Sequence, residues 1–182
     1  RGNEDCDTTT YRRPDSLFVV RDPVTARISA VLSVEVDEDS HVTRKFSCET
    51  GKVEDTFQAI QKLAAGEGAS AASRTGVRAD AEFVYYAVFK FNPNSCDAKP
   101  SVKLDDRIKV LARACSAFLS RDPKEYLAMP IEQRLVPHVT TFYYHSKAKS
   151  TAAPDDPSKN FLDEFSKLAP NWYWHGNFTL AA

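Results

Sequence analysis

One segment constrains the fold more than any other. Residues 80–91 read DAEFVYYAVFKF, with Phe83, Tyr85, Ala87, Phe89 and Phe91 at every second position. Strand side chains alternate between faces, so this is a strand with one fully apolar face. Tyr86 points away from Tyr85. Pro93 ends the strand. Such a face has to be covered, and the chain has the means to do so. Its 182 residues are 42% hydrophobic, which fits one domain or two small lobes sharing a core.

The other elements are read from period and punctuation. SLFVV (16–20) reads as a short buried strand. The next stretch, RDPVTARISAVLSVEVDED (21–39), carries two periods at once. Val24, Ala26, Ile28, Ala30, Leu32, Val34 and Val36 alternate as in a strand, whereas Val24, Ile28, Val31 and Leu32 fall at helical spacing. Asp22 before Pro23 is a helix start, a capping carboxylate followed by proline at the first helical position. The reading is a helix from about Pro23 to Ser33.

HVTRKFSC (41–48) reads as a strand and KVEDTFQAIQKLAAGEG (52–68) as a helix, with Val53, Phe57, Ile60 and Leu63 inward and Gly66 near its stop. A Gly/Ala/Ser-rich loop follows. KLDDRIKVLARACSAFLS (103–120) is a helix with Ile108, Leu111, Ala112, Cys115 and Leu119 inward. Residues 121–135 are irregular or short helical turns. PHVTTFYY (137–144) is a strand, SKNFLDEFSKL (158–168) a helix, and NWYWHGNFTL (171–180) a last strand that completes a sheet.

Charge narrows the function. The formal net charge is −1. No global basic field draws in a long polynucleotide, whose affinity rests on phosphate neutralisation. No apolar run approaches a membrane span. The four cysteines, Cys6, Cys48, Cys96 and Cys115, permit two disulfides and three connectivities. Cys96 and Cys115 bracket a loop and a helix, a pairing that leaves Cys6 for Cys48. No CxxC or zinc-spaced cluster is present, so no metal is expected. Asn177 opens the sequon NFT. Cysteines, sequon and a first residue, Arg1, other than Met point to a secreted protein; four thiols in a cytoplasmic protein is the alternative.

His-Val-Thr occurs twice, at 41–43 and 138–140. In a strand the histidine and threonine share a face and the valine points into the opposite layer. Two such strands side by side would present two imidazoles and two hydroxyls. One imidazole could take a proton from water and the other protonate a leaving ribose oxygen, while Thr43 and Thr140 hold the phosphoryl oxygens.

The two motifs, with SHVTRKFSCETGKVEDTFQAIQKLAA, FVYYAVFKF, a helix and VPHVTTFYY in that order, resemble the 2H phosphoesterase family, closest to the cyclic phosphodiesterases of plants and fungi. The resemblance covers about residues 16–180. It implies an α+β fold: two antiparallel sheets facing across a central cleft, with helices outside. It implies His41 and His138 as catalytic acid and base, Thr43 and Thr140 as phosphate ligands, and no cofactor. By resemblance Tyr143 stacks on a base, although on an ideal strand it faces away from His138; core packing is the alternative. Arg44 and Thr141 depart from the apolar positions of the family pattern.

The expectation is therefore an N-terminal extension (1–15) and one bilobal domain (16–182) that acts as a monomer. The expected activity is hydrolysis of a 2',3'-cyclic or related nucleotide phosphodiester to a monoester, on a small nucleotide or an RNA end carrying a cyclic phosphate. The alternatives are an RNA-end-processing enzyme using the same residues, and a secreted binding protein or effector that keeps the fold.

Overall fold

The tripeptide Arg-Asp-Pro occurs twice, at 21–23 and 121–123, and does different work each time. In the computed structural model, which describes residues 14–37, 46–65, 83–94, 102–143 and 169–178, Asp122 caps a short helix, its carboxylate accepting from Lys124 N. Asp22 makes the same kind of bond, its Oδ1 accepting from the amides of Val24 and Thr25 at 2.8 Å each. No helix follows it. Ala26 takes φ 58° and the chain turns back. Lys-Glu-Tyr-Leu favours a helix after the second proline, whereas β-branched and alternating residues follow the first. The expected helix from Pro23 to Ser33 is therefore a tight turn into a strand.

Five strands form one sheet in the order β1-β2-β3-β4-β5. They are β1 (Ser16–Arg21), β2 (Ile28–Val36), β3 (Tyr85–Phe91), β4 (His138–Phe142) and β5 (Tyr173–Phe178). β1 pairs antiparallel with β2; every other pair is parallel. Helix α1 (Phe46–Ala64) lies on one face, and α2 (Leu104–Leu119) with the short helices α3 (Pro123–Leu127) and α4 (Ile131–Arg134) on the other. The fold is mixed α/β. Among the described residues there is a single, mainly parallel sheet, where two facing antiparallel sheets were expected.

This architecture explains the double period of β2. Helices cover both faces, so Ala30, Val31 and Leu32 are all buried, and neither period is clean. β1 is an edge strand of which only Val20 is buried, not the buried strand expected. Phe46, Ser47 and Cys48 begin α1, not a strand; residues 38–45 and the expected helix at 158–168 lie outside the described residues.

Two cores result, one on each face. Val53, Phe57 and Ile60 of α1 pack on Val31, Tyr86, Val88 and Val139. Leu63, expected inward, is 70% exposed. On the other face, Leu32, Tyr85, Phe89 and Phe142 meet Val110, Leu111, Ala114, Cys115 and Phe118 of α2. The buried stripe of α2 begins at Arg107, so Ile108 and Leu119, expected inward, are exposed. Arg107 turns in because its guanidinium donates to the carbonyls of Asn92 and Asn94.

The connections β2–α1–β3 and β3–α2–β4 step across the sheet in the same direction but on opposite faces. They are therefore of opposite hand, and one departs from the strong right-handed preference of such crossovers.

Candidate functional site

β4 begins with the second His-Val-Thr. Strand alternation acts as expected: His138 and Thr140 face α2, and Val139 enters the core under α1. The two polar side chains line a cavity of about 500 Å³ between sheet and helix. That volume lies within the range of small-molecule sites, about 300–1,000 Å³. Tyr85, Phe89, Phe118, Tyr126 and Phe142 supply its aromatic wall, and Ala114 and Ala117 leave it room.

β5 brings a second imidazole to the same place. In the β4–β5 ladder Val139 pairs with Trp174, but Thr141 pairs with Asn177. β5 thus holds one extra residue, and the irregularity falls at His175 and Gly176. Bulges of this kind re-aim side chains and are common beside functional sites. Here His175 Nε2 lies 2.9 Å from His138 Nδ1. The other nitrogen of His138, Nε2, is 2.6 Å from the Gln133 carbonyl oxygen of α4. Tyr85 and Tyr173 sandwich the His138 ring, with centroids at 4.3 and 4.8 Å. His138 is thus held on both faces and at both nitrogens.

Proton positions follow from this geometry. A carbonyl cannot donate, so His138 Nε2 carries a proton and donates to Gln133. Burial lowers the pKa of His138, and nearby His175 lowers it further against the opposing Gln133 carbonyl; burial also lowers that of His175. Both rings are therefore neutral at pH 7. His138 Nδ1 is then a bare acceptor, and His175 Nε2 must donate to it. His175 Nδ1, at the end of the chain, is left as an acceptor with no protein partner among the described residues. The Thr140 hydroxyl likewise has no partner there.

Charge is scarce in this cavity. Arg121 lines it, but its Nε donates to Glu125 at 2.7 Å and its guanidinium lies over the Tyr126 ring. Burial pushes the phenols of Tyr85 and Tyr126 up to about 12, so both stay neutral.

The remaining sequence candidates fall elsewhere. His41 and Thr43 lie outside the described residues. β2 ends with Val36 in register with Phe91, which pairs with Phe142. The chain therefore leaves β2 level with the far end of β4 from His138, about 13 Å along the strand. Tyr143 is fully buried and takes φ 61°. That positive φ swings it out of alternation into the α2-side core, where it meets Phe91 edge-on with the Arg107 guanidinium over its ring. It does not line the cavity. Asn177 lies in β5.

Cys115 is a free thiol, so the expected Cys96–Cys115 bond is not formed. Cys115 packs against the α2-side core, and burial raises its pKa. Cys48 is disulfide-bonded; its partner, and with it the expected bond to Cys6, lies outside the described residues.

A second polar cluster, which the sequence reading missed, sits on the α1 side near the carboxyl ends of the strands. Lys90 is buried, with Asp37 at 2.9 Å and Glu49 at 3.1 Å. Lys52 pairs with Glu35 beside them. Burial alone would lower the Lys90 pKa, but Asp37 and Glu49 outweigh it and hold the ammonium above the ordinary lysine range. Burial raises the Glu35 pKa against the opposing Lys52. These buried pairs read as core structure.

His175 was also missed as a site residue. Alternation puts it on the face of Tyr173, but only the ladder register, which pairs Tyr173 with His138, brings that face to the site, and register is not a local signal. Among the described residues no group of three or more His, Cys, Asp or Glu is arranged to hold a metal ion. No helix among them is long and apolar enough to cross a membrane. The chain matches no protein-family model, no curated protein and no solved structure.

Proposed function

We propose that this domain binds a small, mainly apolar molecule with a planar body in the cavity between β3, β4 and α2. One observation carries the reading: an aromatic cavity of about 500 Å³ that holds the unengaged polar atoms of Thr140 and His175. Ligand sites are built this way, with apolar walls for affinity and a few convergent polar groups for orientation. Thr140 is buried, and a core that merely packed would not leave its hydroxyl facing open space; His175 is exposed and stands at the edge of the cavity. The test is calorimetric titration with naphthols. Ala114→Trp, which places an indole where the helix now carries a methyl, should abolish the binding. Binding that survives Ala114→Trp would place the ligand elsewhere.

A second reading keeps the enzyme. His138 and Thr140 of the second motif share the cavity with another imidazole, His175. Two imidazoles and a hydroxyl beside an aromatic wall suit metal-independent hydrolysis of a cyclic nucleotide phosphodiester, free or at an RNA end. It comes second because a phosphate there would meet two neutral imidazoles, and Arg121, the cation lining the cavity, is exposed and shares its charge with Glu125. A panel of cyclic nucleotides and a short RNA ending in a cyclic phosphate tests it; no product from any of them removes it. The disulfide at Cys48 fits a secreted protein under either reading.

A further inference from the structure

The hydrogen-bond chain that runs from buried His138 out to exposed His175 at the cavity edge has a direction, and that direction specifies a ligand. It starts at a carbonyl, which can only accept. Gln133 O takes the proton of His138 Nε2, and His138 Nδ1 takes that of His175 Nε2. Each link fixes the next, so the last atom, Nδ1 of His175, is a lone pair. Resting on the cavity reading, we infer that the site selects a molecule presenting a neutral hydrogen-bond donor, a phenol-type hydroxyl on a planar apolar body, to Nδ1 of His175.

The surroundings agree with a neutral donor. The groups facing the pair are the Tyr85 ring from β3, the Tyr173 ring from β5 and the Gln133 carbonyl from α4. Tyr126 stacks behind Tyr85, with Arg121 tied to Glu125. The cation among them, Arg121, is exposed and shares its charge with Glu125. Thr140 can both donate and accept, so it accommodates a hydroxyl whose own proton goes to His175. An ether of the same shape has no proton to give that lone pair and forgoes one hydrogen bond, which translates into up to roughly tenfold weaker binding.

The experiment compares 2-naphthol, its methyl ether and 2-naphthoate by calorimetry at pH 7.5 and pH 5.5, on the wild-type chain and on His175→Phe. Expected at pH 7.5 is naphthol binding about tenfold tighter than the ether, with the carboxylate weakest. Once acid protonates the imidazoles, the lone pair becomes a donor; naphthol should then lose affinity and naphthoate gain it. His175→Phe should erase the naphthol preference, bringing naphthol and its ether to equal affinity. The nitrogen-15 spectrum of the free protein at pH 7.5 gives an independent reading: His175 should carry its proton on Nε2. An ether that binds as well as naphthol, or a proton on Nδ1, overturns the inference and leaves the cavity reading standing. No binding by any of the three overturns both.

Discussion

Nδ1 of His138 and Nε2 of His175 stand 2.9 Å apart across a bulge between adjacent parallel strands. The shared proton is kept in the neutral and the singly charged pair, and is lost only when both rings are imidazoliums, which at this distance repel each other. In the unfolded chain both rings titrate near their ordinary value of about 6.5. In the fold both titrate lower, chiefly through burial. Between the two values the unfolded chain binds more protons than the folded one. Stability should therefore be flat above about pH 6.5, fall as pH drops through it, and level off below the lowered folded values. Glu35, whose pKa burial raises, titrates in the opposite sense but equally in wild type and His175→Phe. Thermal unfolding from pH 7.5 to 5 should thus show a shallower fall in His175→Phe. Parallel curves would mean that the pair does not titrate as a unit.

Lys90 lies between Asp37 and Glu49 with almost no exposure. Lys90→Met would leave two carboxylates facing each other in the core. The expected loss is about 3–5 kcal/mol in urea unfolding, the scale for breaking a buried pair. Adding Glu49→Gln should recover part of it. A Lys90→Met protein as stable as wild type would show that the network tolerates the loss of its cation.

Phe118 connects α2 to the aromatic wall. Its ring lies 5.0 Å from that of Tyr126 and meets Phe89 edge-on at 6.2 Å. Phe118→Ala should cost about 3–4 kcal/mol, less if the existing cavity lets neighbours relax. The same variant should weaken naphthol binding in calorimetry. A change in stability with unaltered binding would separate the wall from the site.

How much of this the sequence carried depends on how far each signal reaches. The alternation in His138-Val139-Thr140 is local, and it put two polar atoms on one face and valine on the other. The aromatic face of β3 was legible for the same reason. β2 was misread because Asp22-Pro23 makes a real cap of one turn, and because burial on both faces leaves no clean period. The inner face of α2 was misjudged because Arg107 is drawn inward by carbonyls at the end of β3, a tertiary pull that helical periodicity does not carry. Strand order and the approach of His175 to His138 are long-range, set by a bulge and a ladder register. The pairing of His41 with His138 rested on the repeated tripeptide and on the resemblance, and the described residues do not bear on it.

Thiol chemistry separates the cysteines without a structure. In denaturant without reductant, iodoacetamide should label Cys115 and leave Cys48 unlabelled, read by peptide mapping. In the native state Cys115 should react slowly, since burial keeps it protonated and a thiol is a poor nucleophile. Labelling of Cys48 before reduction would contradict the bond.

The enzyme reading makes its own demand on the histidines. If cyclic nucleotides are hydrolysed, His138→Ala should slow turnover by at least about a hundredfold, the lower range for a positioned acid or base. The partner imidazole then decides the mechanism. Pairing of the two His-Val-Thr motifs predicts an equal loss in His41→Ala, little further loss in the double variant because residues that act as a unit are non-additive, and a modest effect of His175→Ala. A site made only of the residues at the cavity reverses the first and last of these: His175→Ala would be as damaging as His138→Ala, and His41→Ala near wild type. Since one imidazole must be protonated while burial keeps both His138 and His175 neutral at pH 7, a His138–His175 mechanism should peak on the acid side of pH 6.5. An optimum above pH 7 with His175→Ala fully active would exclude it. Thr140→Val should cost about 1–3 kcal/mol in kcat/KM under either pairing, the scale of one hydrogen bond to a charged oxygen.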